Sequence, residues 1–210
     1  MHEDVKGLIC EVGRRIWMRG FVAANDGNIS VKVDDNRIIT TPTGVSKGFM
    51  TPEMMVMVDL EGTVIEGSRR PSSELRMHLR VYRERPDVHA VVHTHAPQAS
   101  AFAIARQSLE TRTMAEAAVM LGNVPLAPFA MPSTEEVPDS ITPYLKDHNV
   151  ILLANHGVIT LGEDLITAYY RMESVELFAG ISLSARMLGG GVELSDEQLQ
   201  RLYQIFKCQG

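Results

Sequence analysis

At 210 residues the chain has the length of one ordinary domain or two small ones. Apolar residues make up 45% and charged residues 22%, which excludes wholesale disorder and collagen-like structure. A net charge of −6, with no cluster of Lys and Arg, argues against a nucleic-acid or membrane-surface protein. Cys10 and Cys208 are too few for a disulfide framework and fit a reducing cytoplasm. The opening stretch, MHEDVKGLICEVGRR, has no apolar run of signal-peptide length. No segment approaches the ~20 apolar residues of a membrane span.

In chain order, Val5, Leu8, Ile9, Val12 and Ile16 recur at helical spacing and predict an amphipathic helix ending near Gly20. From Gly27 to Asp59 the texture becomes short β-rich pieces (Asn28 to Val33, Arg37 to Thr41, Met55 to Val58) separated by turn signals. Pro71-Ser72-Ser73-Glu74 starts a helix that reaches about Glu84, where Pro86 stops it. Val88 to His95 reads as a strand and Pro97 to about Arg106 as a helix. Thr113 to Gly122 and Ser133 to about Lys146 read as two more helices. Val150 to Leu161 is strand, turn, strand, with Asn155-His156-Gly157 at the turn. Helices from Leu165 to Met187 and from Ser195 to Phe206 close the chain. The expectation is one three-layer α/β/α domain over residues 1–210, with a mixed, mostly antiparallel central sheet covered by helices on both faces.

The segment Val88-His89-Ala90-Val91-Val92-His93-Thr94-His95 carries the chemistry. On a strand, side chains alternate, so His93 and His95 project to one side about 6–7 Å apart along the backbone. Their ring nitrogens can then meet one divalent ion. The strand ends of α/β sheets are also where ligands bind. A catalytic metal site takes three protein ligands, so a third donor is wanted. His156, at the turn between two apolar strands, is the candidate; its alternative is a turn histidine facing solvent. His89 reads as packing, and His78, one turn after Glu74, as an i, i+4 partner of that residue.

Three stretches are suited to a phosphate: Asp26 to Ser30, Thr41-Pro42-Thr43-Gly44, and Ser72-Ser73 at a helix start. Each also has a plain reading, Ser72 as a helix cap and Thr43-Gly44 as a turn. Glu74 directly follows the two serines. It is either a carboxylate complementing the helix dipole or a proton-transferring group held at a fixed offset from a bound phosphate.

Together, Gly27-Asn28-Ile29-Ser30, Thr41-Pro42-Thr43-Gly44, Pro71-Ser72-Ser73-Glu74, His93-Thr94-His95 and Asn155-His156-Gly157 resemble the class II aldolase/adducin family, within it the L-fuculose-1-phosphate aldolase branch. The likeness spans roughly residues 10 to 185. It implies that His93, His95 and His156 bind a divalent ion, zinc first and manganese or cobalt as alternatives. It implies that Glu74 ligates the resting metal and then acts as acid/base, and that Asn28, Thr43, Gly44, Ser72 and Ser73 hold the phosphate. The implied reaction is reversible cleavage of a ketose 1-phosphate to dihydroxyacetone phosphate and an aldehyde, in a C4 homotetramer with active sites between subunits. The substrate partner is then a phosphorylated sugar.

Related epimerases place Asp where this chain has Glu74, which favours the aldolase. Other functions on the same scaffold are a methylthioribulose-1-phosphate-type dehydratase and an adducin-like assembly module. The last predicts lost metal ligands, and all three histidines are present. Tyrosines of the branch are absent at Thr113-Met114 and at Lys207-Cys208-Gln209-Gly210, so the aldehyde half is left open.

Overall fold

In a computed structural model, which describes residues 2–207, eight strands form one sheet in the order β4-β3-β2-β1-β5-β8-β7-β6. They are β1 (Asn28–Lys32), β2 (Ile38–Thr40), β3 (Val56–Val58), β4 (Val64–Glu66), β5 (Ala90–Thr94), β6 (Leu126–Ala127), β7 (Val150–Leu153) and β8 (Gly157–Gly162). Every neighbouring pair is antiparallel except β6 with β7. The sheet is thus mixed and mostly antiparallel, as its short strands and close turns predict.

Seven α-helices cover it: α1 (Glu3–Met18), α2 (Leu75–Glu84), α3 (Pro97–Ile104), α4 (Ala115–Leu121), α5 (Glu136–Leu145), α6 (Leu165–Met187) and α7 (Asp196–Lys207). Strand alternation divides the apolar residues between two cores. Ile29, Ile39, Ala90, Val92 and Val158 pack with α1, α3, α4 and α6, whereas Ile38, Val56, Val91, Ile151 and Ile159 pack with α2 and α5. That is the three-layer arrangement.

One helix start and one unforeseen strand differ from expectation in ways that have a physical reason. The segment read as a helix from Pro71 begins only at Leu75, because Ser72 to Leu75 form a turn closed by the Leu75 amide on the Ser72 carbonyl at 3.2 Å. The strand β4 is exposed along its whole length and sits at the sheet edge, so it carries no buried alternation for a sequence reading to detect. No described helix is long and apolar enough to cross a membrane.

Candidate functional site

The two central strands, β5 and β8, set the site. His93 lies at the penultimate position of β5, pairing with Asn28 of β1 on one side and Ile159 of β8 on the other. The strand ends at Thr94, so His95 follows its last residue. Its ring still reaches the His93 ring, with centroids 5.2 Å apart. His156 comes from the β7–β8 turn, where Asn155 adopts φ 57° and the His156 amide bonds the Leu153 carbonyl. Its ring centroid is 4.8 Å from that of His93 and 5.2 Å from that of His95.

Gly157 makes the approach possible. A Cβ there would lie 2.4 Å from the Thr94 carbonyl oxygen and 2.9 Å from the His95 ring. The positive φ of this turn falls on Asn155, and Gly157 is required for the side-chain volume it lacks.

The three histidines each offer one ring nitrogen, and these lie within 4.8 Å of one another. His93 Nδ1 donates to the Val158 carbonyl at 3.0 Å, which leaves the Nε2 lone pair facing the cluster. His95 Nδ1 lies 3.4 Å from Asp26 Oδ2. The Nε2 atoms of His93 and His95 are buried without a hydrogen-bond partner. Buried polar atoms left so are costly, and imidazole nitrogens converging on one point suit a divalent cation of the zinc type.

Glu74 borders this cluster. Its Oε2 is 3.3 Å from His93 Nε2 and its Oε1 is 3.0 Å from His156 Nε2. Both contacts are electrostatic, since neither His93 Nε2 nor Glu74 Oε1 has an aligned hydrogen-bond partner. Burial alone would push the Glu74 carboxyl up, but His93 and His156 outweigh it and hold it far below the usual carboxylate range. Burial opposes the charge of His93 too, yet Glu74 raises its pKa above the ordinary value. For His95, burial and then the repulsion of His93 and His156 lower it.

Asn28, Thr43, Gly44, Ser72 and Ser73, together with Glu74 and His95, line one cleft of about 120 Å³. Two of its loops are joined by a bridge between Pro42 and Pro71, with Thr43 N–H on the Arg70 carbonyl and Ser72 N–H on the Thr41 carbonyl. Those two amides are therefore spent. The Ser72 hydroxyl accepts from the Glu74 amide at 3.2 Å and keeps its own hydrogen for a ligand. Gly44, at φ +72°, has open space where a side chain would be. Asp26 brings a half-exposed carboxylate to the same cleft, directed at His95.

A larger groove of about 860 Å³ runs along α6 past Arg19, Gln98 and Glu173. It shares no residue with the histidine cluster and has no convergent ring nitrogens, so the smaller cleft is the candidate site.

Two histidines depart from their expected roles. His89 is exposed rather than packed, because β5 starts only at Ala90. His78 is not a partner of Glu74. It is fully buried and turns to β1, where Nε2 meets Asn28 Oδ1 at 2.6 Å and Nδ1 meets Ser30 Oγ at 2.7 Å. The Asn28 amide nitrogen in turn donates to Glu74 Oε2 at 2.8 Å, so this side chain, expected to serve a phosphate, is already engaged. Tyr82 is a neighbour of the site that the sequence reading did not single out, and the contacts of Asp26, Ser30 and His78 differ from the roles expected of them. Of the positions lacking the branch's tyrosines, Thr113 lies in a 3₁₀ turn and Met114 precedes α4. Residues 208–210 lie outside the described residues.

Comparison with known proteins identifies the family. Residues 7–183 match the family described as Class II Aldolase and Adducin N-terminal domain. An L-fuculose phosphate aldolase of Methanococcus maripaludis is 34% identical over 82% of this chain and 92% of its own. A 5-deoxy-D-ribulose 1-phosphate aldolase of Bacillus thuringiensis is 32% identical over 96% and 95%. A 3-oxo-tetronate 4-phosphate decarboxylase of Haemophilus influenzae is 31% identical over 81% and 83%. A solved L-fuculose 1-phosphate aldolase superposes with a TM-score of 0.91 at 30% identity, covering 99% of this chain and 98% of that one. The chain is a lyase of the class II aldolase and adducin N-terminal domain family.

Proposed function

We propose that the protein reversibly cleaves a ketose 1-phosphate, of the L-fuculose or deoxypentulose phosphate kind, to dihydroxyacetone phosphate and an aldehyde. The observation that carries this reading is the Glu74 carboxylate set between two imidazoles of a convergent trio and the hydroxyl-lined cleft. His93, His95 and His156, with Glu74 in the resting state, would hold one divalent ion, zinc first and manganese or cobalt as alternatives. Such an ion supplies a Lewis acid for an oxygen of the substrate.

The chain's own groups do the rest. Thr43, Gly44, Ser72, Ser73 and the Asn28 neighbourhood bind the phosphate and fix the reacting carbon against Glu74. Glu74 transfers the proton at that carbon, delivering it in cleavage and removing it in synthesis. The two imidazoles hold the Glu74 carboxyl far below its usual range, so it is ionised wherever the fold is intact. Movement of the Glu74 carboxylate away from His93 and His156 as substrate arrives would return its pKa toward the ordinary range, where it can both accept and donate the proton.

Exposed apolar side chains, among them Trp17 and Phe49 with ring centroids 5.4 Å apart, support the homotetramer as part of the proposal. The relative named as a decarboxylase favours a second reading, loss of carbon dioxide from a 3-oxo acid phosphate, since it too develops charge next to a carbonyl.

The test incubates metal-replete protein with candidate sugar phosphates and couples product to a glycerol-phosphate dehydrogenase. Formation of dihydroxyacetone phosphate from at least one ketose 1-phosphate is the expected result. Dehydrated product, or carbon dioxide from an oxo acid with no aldol cleavage, contradicts it.

A further inference from the structure

We propose that His78 is a positioning residue for Glu74: by anchoring the carbonyl end of the Asn28 side-chain amide it fixes the N–H end that holds the carboxylate for proton transfer. The proposal rests on the reading of Glu74 as the acid/base.

Four hydrogen bonds run in series beneath the cleft. Tyr82 Oη meets Ser30 Oγ at 2.7 Å, and Ser30 Oγ meets His78 Nδ1 at 2.7 Å. His78 Nε2 meets Asn28 Oδ1 at 2.6 Å, and Asn28 Nδ2 meets Glu74 Oε2 at 2.8 Å. Asn28, Ser30, His78 and Tyr82 are all buried, so water cannot substitute for a missing partner.

The direction of every bond follows from its last member. An ionised carboxylate only accepts, so Asn28 must present its NH2 group to Glu74 and its carbonyl to His78. His78 must then carry its proton on Nε2, leaving Nδ1 to accept from the Ser30 hydroxyl. That hydroxyl in turn accepts from Tyr82. Burial keeps His78 neutral and keeps the Tyr82 phenol protonated, which the scheme requires.

A side chain serving only to fill space needs none of this polarity. Without a donor at His78, the buried Asn28 carbonyl is left without a partner and the amide is held from the Glu74 side alone. The Asn28 N–H then no longer fixes Glu74 Oε2 in one place. The element carrying His78 is also the one that presents Glu74, so the relay ties α2 to β1 at the catalytic carboxylate.

The test follows deuterium incorporation from D2O into dihydroxyacetone phosphate, which reads proton transfer without any aldehyde. His78→Leu removes the donor, and His78→Gln replaces it with an amide N–H that can reach Asn28 Oδ1. Metal content is matched among the proteins. His78→Leu should lose about 10- to 100-fold in kcat, the range for outer partners of active-site ligands. Its KM should stay within about twofold, and His78→Gln should recover most of the rate.

The relay is overturned if His78→Leu exchanges at the wild-type rate, loses only through KM, or is matched in its defect by His78→Gln. Long-range 1H–15N NMR of the wild-type protein gives a readout that needs neither variant to fold nor any turnover. A neutral His78 with the proton on Nε2 is expected, whereas a proton on Nδ1 or a charged ring contradicts the relay. Glu74→Gln run beside them separates the two claims. If it exchanges normally, the reading of Glu74 fails; if it is dead while His78→Leu is unimpaired, only the relay fails.

Discussion

Gly157 packs so tightly on Thr94 that an added Cβ would lie 2.4 Å from the Thr94 carbonyl oxygen. This contact presses the start of β8 against the end of β5 and brings His156 beside His93 and His95. Gly157→Ala must push the two strands apart, and overpacking of this kind costs about 1–3 kcal/mol. We expect a lower denaturation midpoint in urea and weaker metal binding together. Unchanged metal affinity in a destabilised variant would mean that the histidine cluster does not depend on this contact.

Lys47 is buried, and its Nζ donates to the carbonyls of Asn25 at 3.0 Å and Val45 at 2.7 Å. Asn25 lines the cleft, and Val45 follows its Thr43-Gly44 segment, so one ammonium ties two of its loops. Burial lowers its pKa to about 8. Hydrogen bonds from a charged group are each worth about 1.5–3 kcal/mol. Lys47→Met should therefore loosen the cleft, raising the dissociation constant for inorganic phosphate about tenfold while metal affinity holds. Equal phosphate affinity in wild type and variant, by calorimetry, would detach Lys47 from the cleft's function.

His78 should also mark the acid side of the stability curve. Burial first, and then repulsion by His93, lower its pKa from 6.5 to about 3, with Glu74 acting weakly the other way. Above pH 6.5 the ring is neutral whether folded or unfolded, and it adds no pH dependence. Between pH 6.5 and about 3 the unfolded chain takes up a proton that the folded one refuses, so stability falls as pH falls. The steepest loss is about 1.4 kcal/mol per pH unit. Urea unfolding of His78→Gln should lack this component and decline less steeply below pH 6.5. Parallel curves for the two proteins would contradict a buried neutral histidine.

Cys10 is expected to be inert. Burial, helped by Glu53, raises its pKa to about 11, so at pH 8 it remains a thiol. Peptide mapping after iodoacetamide treatment at pH 8 should find Cys10 unmodified in the folded protein and alkylated in urea. Rapid labelling of the folded chain would contradict the raised pKa of this half-buried thiol.

Much of this architecture can be read from local sequence. The apolar spacing of Val5 to Ile16 and the long run from Leu165 to Met187 correspond to α1 and α6, because a helix buries residues close together in sequence. The His-x-His segment before Ala96-Pro97 and the histidine at a turn between two apolar strands were similarly legible as a cluster of imidazoles. His78 was not. Its spacing from Glu74 suggests a helix-surface pair, whereas its partners Asn28 and Ser30 come from a strand that only the folded sheet brings alongside. The Asp26–His95 contact is also long-range in sequence, as is the engagement of the Asn28 amide by Glu74. Periodicity records which face of an element is buried, but not which distant polar group it meets there.

The account depends most on three imidazoles sharing one cation. Titration of metal-free protein with Co2+, followed by its visible d–d absorption, tests this directly. The expected result is one tightly bound equivalent per chain with an intense low-coordinate spectrum, lost in His156→Ala. A wild-type protein that binds no cobalt tightly, or a His156→Ala variant with an identical spectrum and affinity, would contradict the account.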